Sequence, residues 1–168
     1  MNEGGSTKKA ASAGLLMFRG RGAELEVLLV HPGGPFFARK DAGIWTLPKG
    51  LLEANENALT AARREFTEET SFPTPATAGA LDSAYIALGN ITQKGGKLVH
   101  AWAFEGDCDP AQLVSNEFEM DWPPRSGRKQ RFPEVDRGAW FDPPQASTKI
   151  NPAQVPFLER LIESLLAP

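Results

Sequence analysis

Hydrophobic positions cluster early in the chain. Ala10–Phe18 is an apolar run, and a second run, Glu24–His31, follows after Arg19–Ala23, with Gly20 and Gly22 inside the break. Two such runs around a glycine-containing break predict a β-hairpin. Pro32–Pro35 predicts a turn. Gly43–Leu47 reads as a short extended piece, and Pro48 keeps Leu47 out of the helical region. Asn57–Thr70 carries the clearest helical pattern. With Leu59 at zero degrees, Leu59, Ala62, Phe66 and Thr70 fall within about 80° of one another, a core-facing stripe. Further strands are predicted at Ala80–Ala87, Leu98–Glu105 and Gly138–Phe141, and Pro123–Gln130 reads as a loop. In Asn151–Leu166, Val155, Leu158, Leu161, Ile162 and Leu165 take the spacing of a closing amphipathic helix. Strands and helices mix without regular alternation. The expectation is α+β or α/β layers, with two helices on a mixed sheet.

Composition narrows this picture. A chain of 168 residues with 41% hydrophobic and 23% charged residues has enough apolar material for one core. Residues 1–9 are polar and glycine-rich and read as a flexible tail, leaving 10–168 as a single domain. The net charge of −3 supplies no excess of cations to displace counterions, so no stable nucleic-acid complex is expected. Cys108 is the one cysteine, which rules out an internal disulfide and favours a reducing compartment. Lys8–Lys9 before Ala10–Phe18 imitates a secretory leader, but Arg19 and Arg21 close the run and another strand follows. No span approaches the roughly 18–20 apolar residues of a membrane helix. A cytoplasmic location and no membrane partner are expected. The sequence does not fix an oligomeric state.

The chemistry concentrates in Gly50–Phe72, GLLEANENALTAARREFTEETSF. On the predicted helix, Glu65, Glu68 and Glu69 fall within about 100° of one another, away from the apolar stripe. Their i+3 and i+4 spacings bring the carboxylates toward one region, where like charges repel. Such a helix is either a solvated acidic face or a site for a hard divalent cation, which would remove the repulsion. The preceding Trp45–Gly50 segment, WTLPKG, favours the second reading. It offers a lysine and a glycine whose backbone can approach a metal closely.

This segment resembles the Nudix box: Gly, five residues, Glu, seven residues, Arg-Glu, an apolar residue, one residue, Glu-Glu, one residue, Gly, apolar. Gly50, Glu56, Arg64, Glu65, Phe66, Glu68, Glu69 and Phe72 match it, and Ser71 stands where the family has glycine. The resemblance implies an α/β fold, the Nudix α/β/α sandwich with a mixed sheet between helices. It also implies magnesium, with manganese as a substitute, held by Glu65, Glu68, Glu69 and the Gly50 carbonyl. Glu56 and Arg64 would pair to hold the loop against the helix. The departure at Ser71 leaves the metal ligands untouched. It puts a serine where a left-handed helix stop suits glycine, at roughly 1 kcal/mol, or requires a different turn.

The implied reaction is hydrolysis of a diphosphate linkage. Glu68 and Glu69 are candidate bases within the box. Outside it, Glu134 in FPEVDRGAWF is either an auxiliary catalytic carboxylate or a surface charge, and Glu117 and Glu119 are further candidates. Lys49 stands ready for the phosphate chain. Arg125, Arg128, Lys129 and Arg131 would hold distal phosphates or form a solvated loop. His100 would touch substrate or sit within its strand. Trp45, Tyr85, Trp102 and Trp122 would stack on a base or fill the core. Lys94–Lys97 lacks the residues of a P-loop, and no His/Cys spacing suits zinc.

The overall pattern, including HPGGPFFARKDAGIW and FEMDWPPRSGRKQRFPEVDRGAWF, is similar to that of a bacterial group of predicted nucleoside polyphosphate pyrophosphohydrolases. The expected substrate is a nucleoside triphosphate or dinucleoside polyphosphate, a small-molecule partner. ADP-ribose, a nucleotide sugar or a diphosphoinositol polyphosphate are alternatives. A nucleotide-sensing module without catalysis is the reading from a different class. Such modules lose box carboxylates, and all of them are present here.

Overall fold

The computed structural model describes residues 10–76 and 84–168. The expected tail at 1–9 and the first part of the strand expected at Ala80–Ala87 lie outside the described residues. Among the described residues, no helix is long and apolar enough to cross a membrane.

The opening hairpin forms as expected, from β1 (Ala11–Arg19) and β2 (Glu26–Pro32) around a short 3-10 turn at Gly22–Glu24. The main sheet also holds β3 (Lys49–Leu51), β4 (Ile86–Thr92), β5 (Leu98–Glu105) and β8 (Val135–Phe141). Its order is β4-β5-β1-β2-β8, with β3 paired to β1. One edge of β1 runs parallel to β5, from Ala11↔Leu98 to Phe18↔Glu105. The other edge is shared. Near its end, Phe18↔Val27 and Arg19↔Glu26 join β1 to β2, whereas near its start Ser12↔Leu51 and Gly14↔Lys49 join it to β3. β1 and β2 therefore splay apart, and the 45–51 segment enters between them, bridged to β2 at Val30↔Thr46. That splay opens the cleft described below.

Side chains alternate across the sheet with the period of a strand. Ala13, Leu15 and Met17 of β1 pack with Phe66, Ala61 and Ala62 of helix α1 (Ala58–Thr70). Leu16 and Phe18 point to the opposite face, with Phe157, Leu158 and Leu161 of α3 (Val155–Leu166) and Ala146 of α2 (Pro143–Lys149). This is the α/β sandwich expected from the resemblance. Fully buried Phe66 meets Phe104 edge to face at 5.3 Å, so truncating Phe66 to alanine would cost about 3–5 kcal/mol.

Several elements differ from the sequence reading. Among the described residues there are three α-helices where two were expected. α2 has seven residues and buries only Ala146, too little to imprint a helical period. The start of the expected Asn151–Leu166 helix is a 3-10 turn, Pro152–Gln154. β8 begins at Val135, before the expected Gly138. The Pro123–Gln130 loop is the tip of a hairpin between β6 (Glu117–Asp121) and β7 (Lys129–Pro133), a separate two-stranded sheet. Charged and exposed positions on both strands hide its alternation.

Candidate active site

Helix α1 is started by Asn57, whose Oδ1 accepts from the Leu59 and Thr60 amides at 3.0 and 3.3 Å. Four residues of its buried face, Ala61, Ala62, Phe66 and Thr70, fix its rotation, and partly buried Leu59 packs against the same cluster. Glu65, Glu68 and Glu69 are thereby turned to the cleft. Its end is held by the chain that follows β5. The Asn116 amide donates to the Glu68 carbonyl at 2.8 Å and the Val114 amide to the Thr70 carbonyl at 3.2 Å. Ser71 does adopt the left-handed stop, with φ 64° and ψ 9°, and its hydroxyl donates to the Val114 carbonyl at 2.6 Å. The turn keeps its shape despite the missing glycine.

The loop between β3 and α1 is fastened by Arg64. Its Nε and Nη2 grip both oxygens of Glu56 at 2.9 Å, and Nη2 also donates to the Leu51 carbonyl at 3.0 Å. Nη1 reaches Glu65 Oε1 at 2.8 Å and Glu68 at 3.2 Å. Gly50 passes so close to Glu65 that a Cβ there would lie 2.0 Å from the carboxyl carbon. Only glycine permits this approach without moving the carboxylate.

Glu65, Glu68 and Glu69 from α1, with Glu134 from the segment leading into β8, line an open cleft of about 430 Å³ together with Lys49, Lys97, Gly50 and Asn116. The Lys49 amide donates to Glu69 Oε2 at 3.2 Å. Burial, with Glu65 close by, pushes the Glu69 carboxyl up to about 8. Burial raises Glu65 against the pull of Arg64, and burial plus Glu68 raises Glu134. Arg64 holds Glu56 down to about 2. Burial and neighbouring Lys97 lower Lys49.

The carboxylates share the cleft without meeting at one point. Among the described residues, no three acidic, histidine or cysteine side chains stand close enough to hold one ion. Glu65 and Glu68 lean on Arg64 instead. Convergence inferred from helix spacing alone thus overshoots, because an adjacent guanidinium competes for the same oxygens. The donor set is nonetheless all oxygen, acidic and cradled by Gly50, which fits a hard cation such as magnesium.

Other candidates are placed elsewhere. Arg125, Arg128, Lys129 and Arg131 lie on the β6–β7 hairpin and do not line the cleft, and Lys129 pairs with Asp121 at 3.0 Å. Glu117 and Glu119 are exposed on β6, away from the cleft lining. Trp45 and Tyr85 are buried in the core, and Trp102 packs against the α1 side. His100 sits within β5, opposite Ala13 and Asn90.

The NUDIX domain profile matches residues 8–161. The chain belongs to the Nudix family. Its fold is similar to that of a C. elegans Ap4A hydrolase in a binary complex, with a TM-score of 0.60 at 20% identity, covering 92% of this chain and 97% of that one. It is also similar to the NUDIX domain of Shewanella oneidensis NrtR complexed with ADP ribose, with a TM-score of 0.61 at 14% identity over 98% and 94%. A NUDIX hydrolase from Nitrosomonas europaea gives 0.57 at 17% over 96% and 93%. A stretch of 137 residues, 81% of the chain, is 31% identical to an octanoyltransferase of Myxococcus xanthus and spans 32% of that protein.

This Nudix cleft includes two residues that sequence reasoning passed over. Lys97 closes the tight KGGK turn between β4 and β5, where the Gln93 amide donates to the Lys97 carbonyl at 2.8 Å. A hairpin turn beside two apolar runs was the available signal. Asn116 offered none, because its position depends on long-range bonds to α1.

Proposed function

We propose that this Nudix hydrolase cleaves a phosphoanhydride of a nucleoside polyphosphate, and that a dinucleoside polyphosphate suits it best. The observation that carries this is the pairing, in one cleft, of four carboxylates with two lysines, Lys49 and Lys97. The carboxylates suit a cation at the scissile diphosphate. The lysines suit additional phosphates beyond it. ADP-ribose and nucleotide sugars carry two phosphates and leave such a second cationic flank without a role. A neighbouring pocket of about 220 Å³ shares Pro32, Thr46 and Lys49 with the cleft and adds Phe37, Ile44 and Gln93. It has the mixed apolar and amide lining of a nucleoside site.

Glu65, Glu68, Glu69 and the Gly50 carbonyl would hold magnesium or manganese, with Glu65 and Glu68 rotating away from Arg64. When bound, the cation supplies Lewis acidity and neutralises the anhydride oxygens. Arg64 keeps its grip on Glu56 and so preserves the loop. Lys49 and Lys97 orient the phosphate chain. Glu134, tied through its backbone to Asn116 and Gly33, accepts the proton of the attacking water.

Incubation with magnesium and a panel of nucleotides, read by phosphate or nucleotide release, tests this reading. Turnover of dinucleoside polyphosphates is expected. Glu69→Gln should lower kcat at least about a hundredfold, the scale of a lost transition-state contact. Glu134→Gln should lower kcat with KM nearly intact. No turnover of any nucleotide would overturn the reading. Wild-type kcat in Glu134→Gln would move the base to Glu68 or Glu69.

A further inference from the structure

The β6–β7 hairpin is an excursion rooted at the cleft. It occupies the chain between Asn116 and Glu134, both of which line the carboxylate cleft, and the Glu134 amide donates to the Asn116 carbonyl at 2.9 Å. Among the described residues it joins no strand of the main sheet. Its ring pair, Phe118 and Phe132, lies within the hairpin at 6.1 Å. The core thus gains little from these residues.

The hairpin instead leans on the turn after β2. The Gly33 amide donates to the Glu134 carbonyl at 2.9 Å, and a Cβ on Gly33 would strike the Pro133 carbonyl oxygen at 1.9 Å. At the tip, Trp122 meets Phe36 edge to face, with ring centres 5.5 Å apart. Phe36 is 55% exposed and Phe37 37% exposed, an unusual way to spend two phenylalanines side by side. Phe37 also walls the pocket that continues the cleft past Thr46 and Lys49. Arg125 and Arg128 lie on the hairpin tip, where the Arg128 carbonyl accepts from the Trp122 amide at 2.9 Å, and the ion pair on this hairpin is that of Lys129 with Asp121.

We propose that this turn and hairpin tip form a second subsite, outside the carboxylate cleft, for the far nucleoside of a dinucleoside polyphosphate. The proposal rests on the cleft being a polyphosphate site. A purine or pyrimidine stacks on the Phe36–Trp122 platform, and Arg125 and Arg128 neutralise the phosphates leading to it. Aromatic faces accept any base, so the far base is recognised by stacking rather than by identity. The row of cations expected from sequence to hold distal phosphates thereby acts from outside the cleft, with aromatic partners.

The test compares diadenosine tetraphosphate with ATP as substrates for the full chain. In Trp122→Ala and in Phe36→Ala, the ratio of kcat/KM for the two-ended substrate to that for ATP should fall about tenfold or more, the scale of one base–aromatic stack. Trp122→Phe should restore most of the ratio. Replacing Arg125 and Arg128 by glutamine should lower the same ratio and weaken its dependence on salt. Thermal melts of each variant verify folding, and Phe36→Ala stands in if Trp122→Ala fails to fold. An unchanged ratio in the folded variants overturns the subsite. So does wild-type enzyme that turns over ATP but not the two-ended compound. Failure of the wild type on both substrates instead overturns the polyphosphate reading itself.

Discussion

At the scale of single residues, Ser71 shows how a departure from a family pattern is absorbed. A non-glycine residue in the left-handed region costs about 1–2 kcal/mol, and the Ser71 hydroxyl returns part of that through its bond to the Val114 carbonyl. Ser71→Gly removes both the strain and the bond, so urea unfolding should show a change within about 1 kcal/mol. Ser71→Ala keeps the strain and loses the bond, and should be destabilised by about 0.5–1 kcal/mol. Equal stability of the alanine and serine proteins would remove the hydroxyl from this account. The pattern of the box thus predicted where the helix stops, and long-range contact with Val114 decided how.

Among elements, legibility followed burial and length. β1, β2, α1 and β5 could be read because each buries a face over seven or more residues, which imposes a period on the sequence. β3 has three residues, and β6 and β7 bury almost nothing, so no period marks them. The acidic face of α1 was legible for the same reason that its apolar face was. The competition of Arg64 for Glu65 and Glu68 was not, because it depends on where the β3–α1 loop folds. That loop yields a pH prediction. Arg64 holds the folded Glu56 carboxyl at about 2, below its ordinary 4.5. The pair therefore stabilises the fold fully above about pH 4.5, and its contribution disappears as the pH falls toward 2. The stability difference between wild type and Glu56→Gln, measured by denaturation, should be largest near neutral pH and shrink across that window. A difference independent of pH would show that Glu56 acts by shape rather than by charge.

For the whole molecule, the splay of β1 and β2 places a charged cleft where a continuous sheet would bury apolar surface. Three helix carboxylates and Glu134 face it, and Arg64, Lys49 and Lys97 offset only part of their repulsion. A fold that gathers like charges in this way is stabilised by anything that neutralises them in the native state alone. Magnesium at a hundred times its dissociation constant should add about 2.7 kcal/mol. For a chain of this size that raises Tm by roughly 5–10 °C over protein in excess chelator. Activity should vanish in chelator and return with the metal. Gly50→Ala separates metal binding from general charge screening, because the added Cβ displaces the Glu65 carboxylate while leaving the net charge unchanged. In chelator this variant should melt close to the wild type. With magnesium its Tm should rise by less than half the wild-type increment. An equal rise in both proteins would mean that the cation stabilises the chain without engaging Glu65 and Gly50, and the proposed ligand set would have to be abandoned.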